Sequence, residues 1–435
     1  MPESYEKGKA FFPEIVKHLR YFEETLGPYP FRADKYGVAQ TPHLGMEHQS
    51  IIAYGANFDN SAMTGKDWGF DALHHHELSH EWWGNMVTNQ DWRDMWLHEG
   101  FGAYMQALYV EKTRGPEMYD SLMAAIRNFN NVYAVAPRAS KTGNQIYKAP
   151  IYVKGAWVLH SLRYLIGDEA FFTALRRMAY PDPAMEKITD GRQCRFATTD
   201  DFLQIAEQVS GLKLDWFFEV YLRQPKLPQL IAGVQGNQLT LAWKTPDNLP
   251  FFMPIDIQIG EELLRVEISE ARVVVELRAG EELQIDPHRR GLFSYEALET
   301  GKYYLDKDKY EKSRKAFENM LKIDPENIFA LQMMKHISYA EKNREKLHSG
   351  FFEIYTGKYQ VSPDYIQTVT MEDGKIFISR GRRSKLRIYP VSDNEFILPQ
   401  FDLYYVFNKD SNGLVKELVA KSEDSIIKTR AKRVE

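Results

Sequence analysis

The chain has 435 residues, a length suited to about three domains. Its 55 basic and 60 acidic residues give a formal charge of −5, which excludes a general attraction to nucleic acid or to an anionic membrane surface. A hydrophobic share of 44% and a charged share of 26% exclude disorder for the bulk of the chain. The single cysteine, Cys194, excludes an intrachain disulfide framework. No apolar run reaches the roughly 18 residues of a membrane-spanning helix.

Met1-Pro2-Glu3-Ser4 leads directly into an amphipathic stretch, with no basic segment followed by an apolar one, so no secretory signal is read here. A complete chain is expected in the cytoplasm; one truncated at its front is expected to be exported.

Residues 1–228 read as one mainly helical domain with a short β portion. Phe11 to Phe22 has helical spacing of its apolar residues and is stopped by Gly27-Pro28-Tyr29-Pro30. Tyr36 to Gln40 and Ser50 to Gly55 are expected strands. Asp71 to Trp83, Asp94 to Arg114, Glu117 to Asn130 and Val153 to Ile166 are expected helices, and Thr199-Asp200-Asp201 starts another. Beyond Arg223-Gln224-Pro225-Lys226-Leu227-Pro228 come short alternating runs, among them Gln238 to Trp243, Pro254 to Ile259 and Ala271 to Leu277. Residues 229–294 therefore read as a β-sandwich. Residues 295–346 return to helical periodicity. Gly301, Tyr304, Tyr310, Phe317 and Pro325 fit a tetratricopeptide-like repeat of about 34 residues. One and a half repeats form no free solenoid, so a helical hairpin joining two β modules is weighed above a docking surface for a protein partner. Residues 347–435 alternate again around the turns Glu372-Asp373-Gly374 and Ser411-Asn412-Gly413. This part resembles the small lipocalin-like β-barrel appended to some bacterial hydrolases. The basic run Lys428 to Arg433 is read as a solvated end.

The chemistry lies in His76-Glu77-Leu78-Ser79-His80. On a helix, positions i and i+4 share one face, so two imidazoles there can reach a single metal while Glu77 stands beside them. Leu73, Leu78, Trp82 and Trp83 give this helix a heavy apolar face. It should be buried, and buried His and Glu need partners that a metal supplies. Eighteen residues separate His80 from Glu99, enough for the helix to end near Gly84 and a second to return Glu99 to the metal. Two His and one Glu leave a fourth zinc position for water, the mark of a catalytic site. Glu77 is then the general base. The register makes His76 the partner of His80; His74 and His75 are bystanders or supporting groups. Glu81 and Asp94 are candidates to receive the second nitrogen of a ligand imidazole, a place a carbonyl can also fill.

These residues, with Gly45-Met46-Glu47-His48, Gly84-Asn85-Met86-Val87-Thr88 and Tyr152-Val153-Lys154-Gly155-Ala156, resemble the aminopeptidase N and leukotriene A hydrolase family of thermolysin-like zinc peptidases. Four separated motifs occur in order over residues 10 to 225. The resemblance implies an α+β multidomain protein whose first domain is thermolysin-like. It implies one zinc per chain on His76, His80 and Glu99. Glu47, with Gly45 and Met46, would bind the free amine of a peptide substrate, and Tyr152 would donate to the oxyanion. The implied activity is that of a zinc aminopeptidase. Leu44 stands where the family motif has Gly, His48 where it has Asn, and His98 precedes Glu99 where Asn is usual. Family members usually carry a saddle-like β domain ahead of the catalytic one; this chain begins inside or at the edge of the latter. The alternatives are an endopeptidase or epoxide hydrolase with the same zinc, and an inactive zinc-binding scaffold acting through its C-terminal modules.

Overall fold

A computed structural model describes residues 2–434 apart from 62–64, 128, 130, 270–271, 279, 349, 381–384, 400–401 and 424. The chain forms two compact units, one of residues 1–230, 242–273 and 286–293, the other of 231–241, 274–285 and 294–435.

The first unit opens with α1 (Tyr5–Leu26), which starts earlier than the periodicity predicts and buries Ile15, His18, Tyr21, Phe22 and Leu26 along one stripe. Gly27, at φ +106, ends it. Three short strands follow, β1 (Gly37–Gln40), β2 (Gly45–Met46) and β3 (Ile51–Tyr54), in the order β1-β3-β2. β2 runs antiparallel to β3, pairing Gly45 with Tyr54, and among the described residues its other edge pairs with no strand.

Helix α2 (Ala72–Ser79) is capped by the Asp71 carboxylate, which accepts the His74 N–H at 2.9 Å. It ends at Ser79, short of the predicted Trp83. Trp83 and Gly84 leave helical geometry, Gly84 at φ +147, and kink the segment Glu81–Met86. After β4 (Val87–Asn89) comes α3 (Trp96–Arg114), then α4 (Pro116–Ala125). The predicted end of α4 includes Asn128 and Asn130, which lie outside the described residues. Next are α5 (Gly143–Ile146), α6 (Val153–Ile166) and α7 (Asp168–Ala179). α7 is absent from the sequence reading, although Phe171, Ala174, Leu175 and Met178 form a buried helical stripe. β5 (Arg195–Ala197) pairs with β4. α8 (Thr199–Ser210) is capped by Thr198, one residue before the predicted start, and α9 (Asp215–Phe218) follows. Trp82, Trp83, Trp96 and Trp157 lie fully inside one continuous core.

Residues 229–295 carry β6 (Gln229–Gln235), β7 (Gln238–Lys244), β8 (Ile255–Ile259), β9 (Glu262–Val266), β10 (Val273–Glu276), β11 (Leu283–Ile285) and β12 (Ser294–Tyr295). They form a four-stranded sheet in the order β10-β7-β6-β12 and a three-stranded sheet in the order β11-β8-β9. Ala271, at the head of one predicted run, lies outside the described residues.

In the second unit, α10 (Glu296–Asp306), α11 (Tyr310–Ile323) and α12 (Ile328–Lys342) precede the short α13 (Arg344–His348). Gly301 is where α10 meets α11: a Cβ there would collide with the Phe317 ring, and the Ser313 hydroxyl donates to the Gly301 carbonyl at 2.8 Å. The strands β13 (Gly357–Ser362), β14 (Tyr365–Glu372), β15 (Lys375–Arg380), β16 (Leu386–Pro390), β17 (Glu395–Leu398), β18 (Leu403–Lys409), β19 (Val415–Lys421) and β20 (Ile427–Arg433) close into a barrel in chain order. Asp373 and Gly374, both at positive φ, make the tight turn that pairs Glu372 with Lys375. The basic run 428–433 lies in β20, which pairs with β19 and β13, and its Lys428, Arg430 and Lys432 side chains are exposed, as expected of a solvated face. Alternation accounts for this, since Ala431 is buried in the barrel. α12 packs against the same barrel: His336 Nδ1 donates to the Pro390 carbonyl at 2.8 Å, and Tyr339 to Asp393 at 2.7 Å. Among the described residues no helix is long and apolar enough to cross a membrane.

Candidate metal centre and active site

Three side chains from two helices meet. α2 supplies His76, the residue after it is His80, and the first turn of α3 supplies Glu99. His76 Nε2 lies 3.2 Å from His80 Nε2 and 3.2 Å from Glu99 Oε2, and His80 Nε2 lies 3.5 Å from the same oxygen. Donor atoms held about 2.0–2.2 Å from a tetrahedral zinc sit roughly 3.3 Å apart, so this triangle has the size the ion requires. Its chemistry fits as well. His80 Nδ1 faces the Trp83 carbonyl at 2.9 Å, a pure acceptor, so Nδ1 carries the proton and the Nε2 lone pair turns inward. Burial acts to raise the Glu99 carboxyl, but the hydrogen bond to His76 and the neighbouring His80 hold it down at about 2, so it stays anionic.

The kink after α2 is what places that carbonyl. The receiver of the His80 proton is therefore neither Glu81 nor Asp94, the carboxylates that sequence position favours. Asp94 accepts from the backbone and hydroxyl of Thr199, at 3.1 and 2.6 Å, and so ties the turn that precedes α3 to the start of α8. Glu81 reaches the loop between β2 and β3. His74 bonds to His18 and Tyr36, at 2.9 and 2.7 Å, and His75 sits among the rings of Phe22, Phe70 and Tyr109; both belong to the core. Burial drives both imidazoles well below their ordinary range, so they stay neutral.

Glu77 is buried beside the triangle, and its carboxyl is raised chiefly by that burial. Gly45 makes room for it: a Cβ at Gly45 would collide with Glu77 Oε1 and stand 2.7 Å from Leu73 Cδ1. Tyr152 opens α6. Its hydroxyl donates to Glu99 Oε1 at 2.8 Å. That approach depends on Gly100 and Gly155, where α3 and α6 touch backbone to backbone: a Cβ on either would come within about 3 Å of the other's Cα. Burial and the Glu99 charge raise the Tyr152 phenol far above its ordinary value, so it remains a neutral donor.

Glu47 is half-buried on the His80 side of the site, its carboxylate within 4.8 Å of His80 and His98 nitrogens. This grouping is not a second ligand set. His98 Nε2 accepts the Asn89 N–H at 2.9 Å, and burial first, then His80, lowers the imidazole to about 3. Gly45 is partly covered and Met46 is exposed, both on the edge strand β2. A mostly apolar cavity of about 450 Å³ lies against His76 and Tyr152, with Trp68, Phe70 and Leu122 in its wall; its lining does not include Glu47.

One residue at the site is missing from the sequence reading. Tyr147 donates to the same Glu99 oxygen at 3.2 Å. In a chain with 25 tyrosines, position alone does not single it out.

Residues 12–221 match the model of the peptidase family M1 domain. Aminopeptidase M1-C of Oryza sativa subsp. japonica is 26% identical over 255 residues, covering 54% of this chain and 27% of that protein. Aminopeptidase N of Lactococcus lactis subsp. lactis is 28% identical over 181 residues, covering 39% of this chain and 20% of that protein. The chain thus spans about a fifth to a third of the curated relatives it matches. The crystal structure of Legionella pneumophila aminopeptidase A in complex with aspartic acid aligns with a TM-score of 0.51 at 17% identity, over 79% of this chain and 48% of that one, a likeness of fold.

Proposed function

We propose that the chain, which belongs to peptidase family M1 through residues 12–221, is a zinc-dependent aminopeptidase that removes residues from peptides with a free N-terminus. The convergence of His76 Nε2, His80 Nε2 and Glu99 Oε2 is the observation that carries this reading. One zinc ion per chain, bound there, would supply Lewis-acid polarisation of the scissile carbonyl and a lowered water pKa. The other roles fall to the chain's own side chains. The Glu47 carboxylate pairs with the substrate's α-ammonium and fixes which peptide bond reaches the reacting position. The edge of β2 left without a strand partner among the described residues offers backbone groups of Gly45 and Met46 to an extended substrate. Glu77 takes a proton from the attacking water and delivers it to the departing amine. The neutral Tyr152 hydroxyl donates to the oxyanion as negative charge develops there. The cavity beside His76, whose lining does not include Glu47, takes the side chain that follows the cleaved bond.

The test is hydrolysis of an aminoacyl chromogenic amide by the purified chain. Turnover that disappears with a chelator and returns with zinc supports the proposal. Absence of turnover in zinc-loaded, folded protein contradicts it and favours the scaffold alternative.

A further inference from the structure

The kinked segment 81–86 makes contacts that the catalytic reading leaves unused. The Asn85 side-chain amide donates to the Glu47 backbone carbonyl at 2.9 Å and to Glu81 Oε2 at 3.3 Å. The other Glu81 oxygen accepts the Ser50 N–H at 3.1 Å. Ser50 itself sits at φ +61, a conformation that a non-glycine residue holds only when its surroundings enforce it. Glu81 is fully buried, so its contacts are held away from solvent. The loop 47–50 is therefore fastened at both ends to the chain that leaves the metal helix. The same kink supplies the Trp83 carbonyl that orients His80.

We propose that Glu81 and Asn85 are positioning residues that set the distance between the amine anchor Glu47 and the metal ligands, and so restrict cleavage to the first peptide bond. This rests on the reading of Glu47 as the anchor. A peptide's α-nitrogen and the carbonyl carbon to be attacked are separated by a fixed span of two covalent bonds. An anchor that drifts by an ångström relative to the metal no longer places both, a loss worth roughly 100-fold in favourable cases.

The test compares Asn85→Leu with the intact enzyme on a free-amine peptide and its N-acetylated form, with zinc content measured in each. Asn85→Leu keeps the volume and removes both donated hydrogen bonds. The expected result is a rise of roughly tenfold in KM for the free-amine peptide, reduced discrimination against the acetylated one, and unchanged zinc content. On a Glu47→Ala background the same substitution should have almost no further effect, because it acts through Glu47. Asn85→Asp, which loses the donor and faces Glu81 with like charge, serves if the leucine variant does not fold; it should shift KM in the same direction. Unchanged KM and discrimination in a folded Asn85 variant, or an equal effect with and without Glu47, overturns the clamp while the aminopeptidase reading stands. If the intact enzyme cleaves free and acetylated peptides equally, the anchor role of Glu47 falls and the clamp falls with it.

Discussion

Helix α2 and the barrel strands of the second unit solve opposite problems. Every residue of Ala72–Ser79 is buried, including three histidines, a glutamate and a serine. In β16, by contrast, burial alternates, with Ile388 and Pro390 inside while Arg387 and Tyr389 remain partly exposed. Alternation of this kind satisfies the hydrophobic effect with no further partner. A helix that buries its polar side chains must find each a bond or an ion, or lose several kcal/mol. The contrast shows where this molecule departs from simple patterning, and it departs at the chemistry.

Substitutions should therefore separate the two regions cleanly, and the largest effect belongs to the base. Glu77→Gln is expected to lower kcat by roughly 10³-fold with zinc retained, read from steady-state kinetics and metal analysis of one preparation. Retained turnover would remove Glu77 from the mechanism. Tyr152→Phe should cost about 10²-fold in kcat with little change in KM, through loss of one oxyanion donor. Gly45→Ala should cost up to about 10²-fold by pushing the Glu77 carboxylate aside, again with zinc in place; a crystal structure of the variant showing Glu77 unmoved would contradict the steric reason. Glu47→Ala should act mainly on KM, by roughly tenfold, and narrow the preference for free over N-acetylated peptides.

The smallest effect on activity is expected from the barrel. Phe407 is fully buried among Tyr355, Tyr359 and Phe396. Phe407→Ala should destabilise the second unit by about 3–5 kcal/mol, seen as faster amide exchange in its strands, and leave zinc content and kcat unchanged. Loss of zinc from that variant would erase the separation drawn between the two regions.

The barrel strands and their turns were legible because alternation and Asp373-Gly374 carry the information locally. The convergence of His76, His80 and Glu99 was legible for another reason: i, i+4 spacing survives whatever surrounds it, and 18 residues suffice for a returning helix. The kink at Trp83-Gly84 was not, because Leu78, Trp82 and Trp83 continue an apolar pattern past the point where the backbone turns. With the kink hidden, nothing singled out the Trp83 carbonyl as partner of His80 over the candidates Glu81 and Asp94. Tyr147 escaped because nothing local distinguishes one tyrosine from the rest. Glycines 100 and 155 were readable only as residues; that they press two helices together and bring Tyr152 onto Glu99 needs the fold.

The most direct measurement is anomalous diffraction at the zinc edge from crystals of the zinc-loaded chain. A single strong peak is expected about 2.0–2.2 Å from His76 Nε2, His80 Nε2 and a Glu99 oxygen. A map with no peak there, or with the ion held by other residues, would contradict the assignment on which the proposed chemistry depends.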